Sequence, residues 1–267
     1  MNEIRKEEQR KFYNCWSRSP GGNERASNLK YYSIVDSRDK LIANWFIRNA
    51  SNKRVLDYGC GSGGSARQIA ELGAAEVIGV DISEDSIGIA KKEIKAANLK
   101  DRCRFFVMDV EDMTFEDNRF DIVYSAGVLH HIDLNRAYPE VARVLKPSGQ
   151  MICVEPLAYN PFIQWYRKRT PHLRTSWEIE HILKKSDIFL GKRYFNELKI
   201  LGFFYLITIA AVPFRKTPIF GFLRHLLEVF DKLVLDIPFI QWYAWQVVFA
   251  LSEPRKQFSA SHQQKTN

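Results

Sequence analysis

From Val55 to Gly64 the chain reads Val-Leu-Asp-Tyr-Gly-Cys-Gly-Ser-Gly-Gly, a β-rich run that breaks into glycines ahead of a helical stretch. Glycines at such a point let the turn take backbone angles that other residues resist, and let a ligand approach the main chain closely. Gly59, Gly61 and Gly64 satisfy the spacing of a dinucleotide fingerprint, and Asp81 stands where a ribose-binding acid is expected. Asp57 argues against a dinucleotide. Its carboxylate, two residues ahead of the first glycine, would repel a pyrophosphate seated at the helix N-terminus and attract a cationic ligand instead. Asp57, Asp81 and Asp109 lie at the ends of three successive β-rich runs, on the edge where open α/β sheets bind ligands.

Those acids need a sheet to align them. Residues 1–30 are polar and irregular, with Ser19-Pro20-Gly21-Gly22 reading as a loop, and Ser33–Arg48 carries apolar residues at helical spacing. Strand-like runs then alternate with helical ones: Arg54–Tyr58, Glu76–Ile82, Arg104–Val110, Phe120–Ser125 and Gln150–Glu155 against Ser65–Leu72, Glu84–Asn98 and Leu134–Leu145. Such alternation predicts an α/β fold, a doubly wound and mostly parallel sheet with helices on both faces. Beyond Pro156 the order changes. Tyr159–Lys185 reads as helix and loop, Arg193–Leu201 as a helix closed by Gly202, Phe203–Val212 as a strand, Pro213–Pro238 as holding a helix, and Trp242–Leu251 as a last strand.

With 267 residues, 46% hydrophobic and 26% charged, the chain has the composition of a globular protein, which excludes disordered and collagen-like classes. Cys15, Cys60, Cys103 and Cys153 are widely separated, without paired ligand spacing, so a disulfide framework or zinc site is not expected and a cytoplasmic location is. The +8 net charge falls entirely in residues 160–267, where 16 basic residues face 8 acidic ones. No run reaches the roughly 18 apolar residues of a spanning helix.

Asp57-Tyr58-Gly59-Cys60-Gly61-Ser62-Gly63 resembles the first motif of class I S-adenosylmethionine-dependent methyltransferases, and Gly79-Val80-Asp81-Ile82-Ser83 is similar to their second. Met108-Asp109-Val110, the run Phe120–Ile132 and Leu145-Lys146-Pro147-Ser148-Gly149-Gln150 match later motifs, and the likeness is greatest to the ubiquinone/menaquinone-type small-molecule branch. The resemblance covers residues 50–156. It implies S-adenosyl-L-methionine as cofactor, a cation that suits the acid at Asp57, and a Rossmann-like sheet of seven strands with the last antiparallel. Gly59 and Gly61 would pass under the methionine moiety with Asp57 nearby. Asp81 would accept the ribose hydroxyls, Ile82 would pack on the adenine, Asp109 and the Val110 N–H would take the adenine edge, and Ala126 would lie beside the methionine end. The chain then divides into an N-terminal helical cap (1–48), a cofactor-binding core (49–156), a helical acceptor-site lid (157–192), final strands with an inserted helix (193–253, helix in 213–240) and a polar tail (254–267).

His130 and His131 follow the fourth strand, where the transferred methyl should point, and Glu155 ends the fifth; these are the candidates for general base. Tyr31, Tyr159, Trp177 and His181 are the expected acceptor contacts, within an aromatic set that includes Tyr13, Trp16, Tyr32, Trp165 and Tyr166. An aromatic or lipophilic small molecule suits that lining better than a sugar phosphate. The histidines His130, His131, His172 and His181 have no metal-ligand spacing, and nucleic acid is not expected as a partner because the basic residues are scattered. A second reading is a membrane-peripheral methyltransferase of a quinone or lipid, with Phe214–Leu235 in the interface. A third is a non-catalytic scaffold that keeps the cofactor fold, and a nicotinamide-dependent oxidoreductase is the residual alternative.

Overall fold

Val55 and Leu56 are neighbours in sequence yet belong to different cores, because successive strand residues point to opposite faces of a sheet. The computed structural model describes residues 2–18 and 30–256. Its seven strands are β1 (Arg54–Tyr58), β2 (Glu76–Asp81), β3 (Cys103–Val107), β4 (Phe120–Ala126), β5 (Leu145–Pro156), β6 (Phe195–Phe204) and β7 (Gln246–Pro254). They form one sheet in the order β3-β2-β1-β4-β5-β7-β6. β7 runs antiparallel to both its neighbours and the other pairings are parallel. This is the doubly wound sheet with a reversed last strand that the sequence predicts.

One face of the sheet packs against α2 (Asp36–Asn49), α3 (Gly64–Glu71) and α4 (Glu84–Ala96), through Phe46, Ile69, Ile87 and Ile94. The other packs on α5 (Leu134–Val144), through Tyr138, Val141 and Val144. Ser83 caps α4 by accepting from the Ser86 N–H at 3.1 Å, as its position ahead of Glu84 and Asp85 suggests. Each parallel strand therefore delivers its carboxyl end to one edge, where Tyr58, Asp81, Val107 and Ala126 stand side by side. The reversal of β7 brings its first residue, Gln246, to the same edge opposite Pro156.

Three readings of the sequence are corrected. The polar segment before residue 19 is a helix, α1 (Asn2–Arg18); the loop read at Ser19–Gly22 lies outside the described residues. Its inward face is built from Arg5, Lys6, Gln9 and Ser17, while Ile4 is 77% exposed, so apolar spacing does not reveal it. The run Arg193–Leu201 is not a helix but most of edge strand β6, and Gly202 sits at a register shift rather than at a helix end. Phe203–Val212 is accordingly not a strand: β6 stops at Phe204 and a 3-10 helix runs Thr208–Phe214.

Between β5 and β6 lie three short helices, α6 (Pro161–Arg169), α7 (Ser176–Glu180) and α8 (Lys185–Leu190). Asn160 caps α6 through its carboxamide oxygen and donates to the Tyr243 carbonyl at 3.0 Å, joining the segment after β5 to the one before β7. Between β6 and β7, α9 (Phe220–Leu235) is tied down by buried Asp231, which accepts from the Ile207 N–H, the Thr208 N–H and the Thr208 hydroxyl.

Candidate active site

The carboxyl edge of the sheet opens into a cavity of about 700 Å³. On its floor, Gly59 and Gly61 turn the chain out of β1 with φ of +73° and +50°. A Cβ at Gly59 would come within 2.5 Å of Val128, whereas one at Gly61 would meet nothing within 4 Å. The Gly61 N–H donates to Asp81 Oδ2 at 2.9 Å and the Ser83 N–H to Oδ1 at 2.8 Å. These bonds fix the carboxylate at the cavity wall and lower its pKa against burial, which raises it on balance. Ile82, Asp109, Val110 and Ala126 line the same cavity.

Asp57 does not. It is buried behind the glycine turn and accepts from the Ala66 N–H, in the first turn of α3, where the capping residue Gly63 has no side chain to offer. Its effect on an anion is therefore indirect, for it occupies one N–H of the first helical turn that a phosphate would otherwise use. Its Oδ2 is buried without a hydrogen-bond partner, and burial pushes its pKa up to about 7.

The loop after β4 is organised by Glu155. This fully buried carboxylate accepts from the Val128 and Leu129 N–H groups at 2.8 and 2.9 Å through Oε1, and from His130 Nδ1 at 2.8 Å through Oε2. A proton held on Nδ1 by that bond leaves Nε2 with its lone pair. His130 and His131 both line the cavity, whereas Glu155 stands behind them and reaches it through His130. His131 Nε2 is hydrogen-bonded to the Tyr13 hydroxyl at 2.9 Å.

α1 lies across the ends of the first strands. Arg5 pairs with Glu111, Lys6 with Asp109 at 2.5 Å, Gln9 donates to the His131 carbonyl, and Asn14 accepts from the Ser83 hydroxyl at 2.7 Å. Asp109 is thus already engaged by Lys6 and by the Glu111 N–H. The opposite wall is aromatic. Tyr31 meets Tyr166 and Trp245 edge-on, with centroids 5.1 and 5.9 Å away. Tyr13, Trp16 and Tyr32 also line the cavity.

Three expected acceptor contacts fall elsewhere. Trp177 and His181, four residues apart, stack on each other at 3.5 Å, with Arg5 over the indole. Tyr159 accepts from the Lys185 N–H at 3.2 Å. None of the three lines the cavity. Conversely, Trp245, Gln246, Arg38, Arg167 and Arg174 line it without having been singled out. The first two reach it only because β7 is reversed. Among the described residues no group of His, Cys, Asp and Glu could hold a metal ion.

The family described as Methyltransferase domain matches residues 56–153, the span that contains the glycine turn, Asp81, Asp109 and the histidine loop. This segment is a methyltransferase domain. It is of class I, the S-adenosylmethionine-dependent kind, and the site fits that cofactor on three observations. The Gly61 backbone is open to the cavity, Asp81 is held at its wall by two main-chain donors, and Asp57 takes the Ala66 N–H in the first turn of α3.

Over 125 residues the chain is 41% identical to a sterol 24-C-methyltransferase of Gibberella zeae, a match covering 44% of this chain and 33% of that protein. Over 124 residues it is 38% identical to the ubiquinone/menaquinone biosynthesis C-methyltransferase of Rickettsia typhi, covering 43% and 50%. The matches span half or less of these curated relatives. Geranyl diphosphate C-methyltransferase from Streptomyces coelicolor superposes with a TM-score of 0.61 over 93% of this chain and 97% of that one, at 16% identity, a likeness of fold.

Asp57 generates a pH prediction. Its pKa is raised by folding from 3.8 to about 7, so the native state binds the extra proton and stability falls as pH rises between these values. Asp57→Asn, which keeps an acceptor for Ala66, should stabilise the ligand-free protein by ~1–3 kcal/mol above neutrality. The advantage should shrink as the pH falls toward 4, as followed by thermal denaturation across that range.

Proposed function

We propose that this chain is an S-adenosylmethionine-dependent methyltransferase of an apolar or aromatic small molecule. The supporting observation is that one cavity runs from Asp81 and Ile82, past His130, to the rings of Tyr31, Tyr166 and Trp245. The cofactor supplies a methyl group already activated on a sulfonium, which leaves the protein to hold the acceptor in line and to take any proton it must lose. Asp81 receives the ribose hydroxyls, Ile82 and Val110 flank the adenine, and Gly59, Gly61 and Ala126 form the methionine end. Asp109 serves the adenine edge jointly with Lys6. Among the base candidates His130 is favoured, with Glu155 as its positioning residue and His131 as a neighbour oriented by Tyr13.

A second feature favours work at a lipid surface. Phe222, Leu226, Val229, Phe230 and Leu233 form one exposed face of α9, with Phe222 74% and Leu233 65% exposed; Ile219, Ile237 and Phe239 extend it. Exposed Arg215, Lys216 and Lys232 flank the face. An apolar stripe edged with cations is the form of an interfacial helix. On its inner side Phe220 packs on the cluster containing Ile163 and Trp245, both of which line the cavity, so the helix adjoins the acceptor end. No helix among the described residues is long and apolar enough to cross a membrane.

Isothermal titration should show S-adenosylhomocysteine binding and no NADH binding, with Asp81→Ala weakening the former by ~1–3 kcal/mol. Binding of NADH alone would return the glycine turn to the dinucleotide reading. His130→Gln should lower turnover by about 10²-fold or more while cofactor affinity stays unchanged; undiminished turnover removes the histidine from the chemistry. In flotation with phosphatidylglycerol-containing vesicles the protein should rise with the lipid, and Phe222→Glu combined with Leu233→Glu should leave it at the bottom of the gradient.

A further inference from the structure

Beside the strand-end acids, the cavity carries three guanidinium groups on its aromatic side: Arg38, Arg167 and Arg174. Two are occupied. Arg38 donates to Gln246 at 2.8 Å and pairs with Asp39 at 2.5 Å. Arg174 donates to the Thr170 carbonyl at 2.6 Å, lies 3.6 Å from Glu178 and stands over the Tyr166 ring. Arg167 differs, for among the described residues its guanidinium makes no hydrogen bond or ion pair, and its Nη1 is buried. Glu178 is the carboxylate whose charge favours it and Arg174 the cation that opposes it. Burial draws its pKa down to about 10, which still leaves it protonated at neutral pH. Among the described residues, Glu178 is the carboxylate near both Arg167 and Arg174, inside a cavity whose adjoining wall is Tyr31, Tyr166 and Trp245.

A buried cation short of a counter-charge is costly to keep, and the cost is relieved by whatever anion enters beside it. A guanidinium offers a planar fork that matches the two oxygens of a carboxylate or phosphate, and its grip tightens where water is excluded. The rings alongside favour an apolar or aromatic body. Resting on the methyltransferase reading above, we infer that the acceptor is an amphiphilic anion, its carboxylate or phosphate bound by Arg167 with Arg174 and its body against the Tyr31–Tyr166–Trp245 wall. The acceptor is thereby held at both ends: the anion fixes its depth, and the rings fix its direction relative to His130.

The test is titration calorimetry of the full chain with three ligands sharing one body: naphthalenemethanol, naphthoate and naphthyl phosphate. Each is titrated with and without saturating S-adenosylhomocysteine. At least one anion should bind about tenfold or more tightly than the alcohol, and the comparison of the two anions identifies the head group. Arg167→Met should abolish that preference while leaving the alcohol and S-adenosylhomocysteine affinities unchanged, and Arg167→Lys should retain part of it. Equal binding of all three ligands by the native protein would overturn the inference, as would a preference that survives Arg167→Met. Failure of S-adenosylhomocysteine to bind would instead overturn the methyltransferase reading. The titrations made without it would still report the head-group preference.

Discussion

The buried carboxylate of Glu155 organises the loop that carries His130 and His131 to the cavity. Unpaired, it would be too costly to keep at zero exposure, so the loop after β4 must fold back and present the Val128 and Leu129 N–H groups and His130 Nδ1 to it. The last of these bonds, from His130 Nδ1, leaves Nε2 as the imidazole nitrogen with its lone pair. Because Glu155 stands at the end of β5, opposite Val247 of β7, the loop's position follows from strand pairing. The position of His130 at the cavity is thus a consequence of sheet register.

Two other helices are held in place by buried acids. Asp57 supplies the cap that Gly63 lacks, allowing the turn to remain all glycine where the backbone must be approached. Asp231 gathers two main-chain donors and a hydroxyl, fixing α9 beside the aromatic wall of the cavity. In each case a carboxylate meets main-chain donors inside the protein, and each stands where an irregular segment joins a regular one.

How much was legible in the sequence depended on whether position or packing carried the signal. The parallel core was legible because β1, β2, β4 and the helices between them have the periodicity their burial demands; Asp81 and Ala126 reach the cavity by ending strands, and Ile82 and Val110 by following them closely. β6 misled because an edge strand with one partner has no clean alternation and its Gly202 marks a bulge. α1 escaped because its buried face is charged. Trp177 and His181 are separated by one helical turn and stack on each other rather than on a ligand. The arginines of the cavity were invisible because a charge count does not say which cations are short of a counter-ion.

The seam under α1 has a consequence for how that helix leaves. A helix seated on apolar side chains is held by expelled water, and its release carries a large heat-capacity change. α1 is seated chiefly on Arg5–Glu111, Lys6–Asp109 and the Asn14–Ser83 contact, beside the Tyr13 ring edge-on to His131, so its release carries less of that signature. Because the ion pairs are buried, salt screens them little while the helix is in place. The helix over the strand ends and the body of the domain are therefore held by different forces: paired charge the first, apolar burial the second.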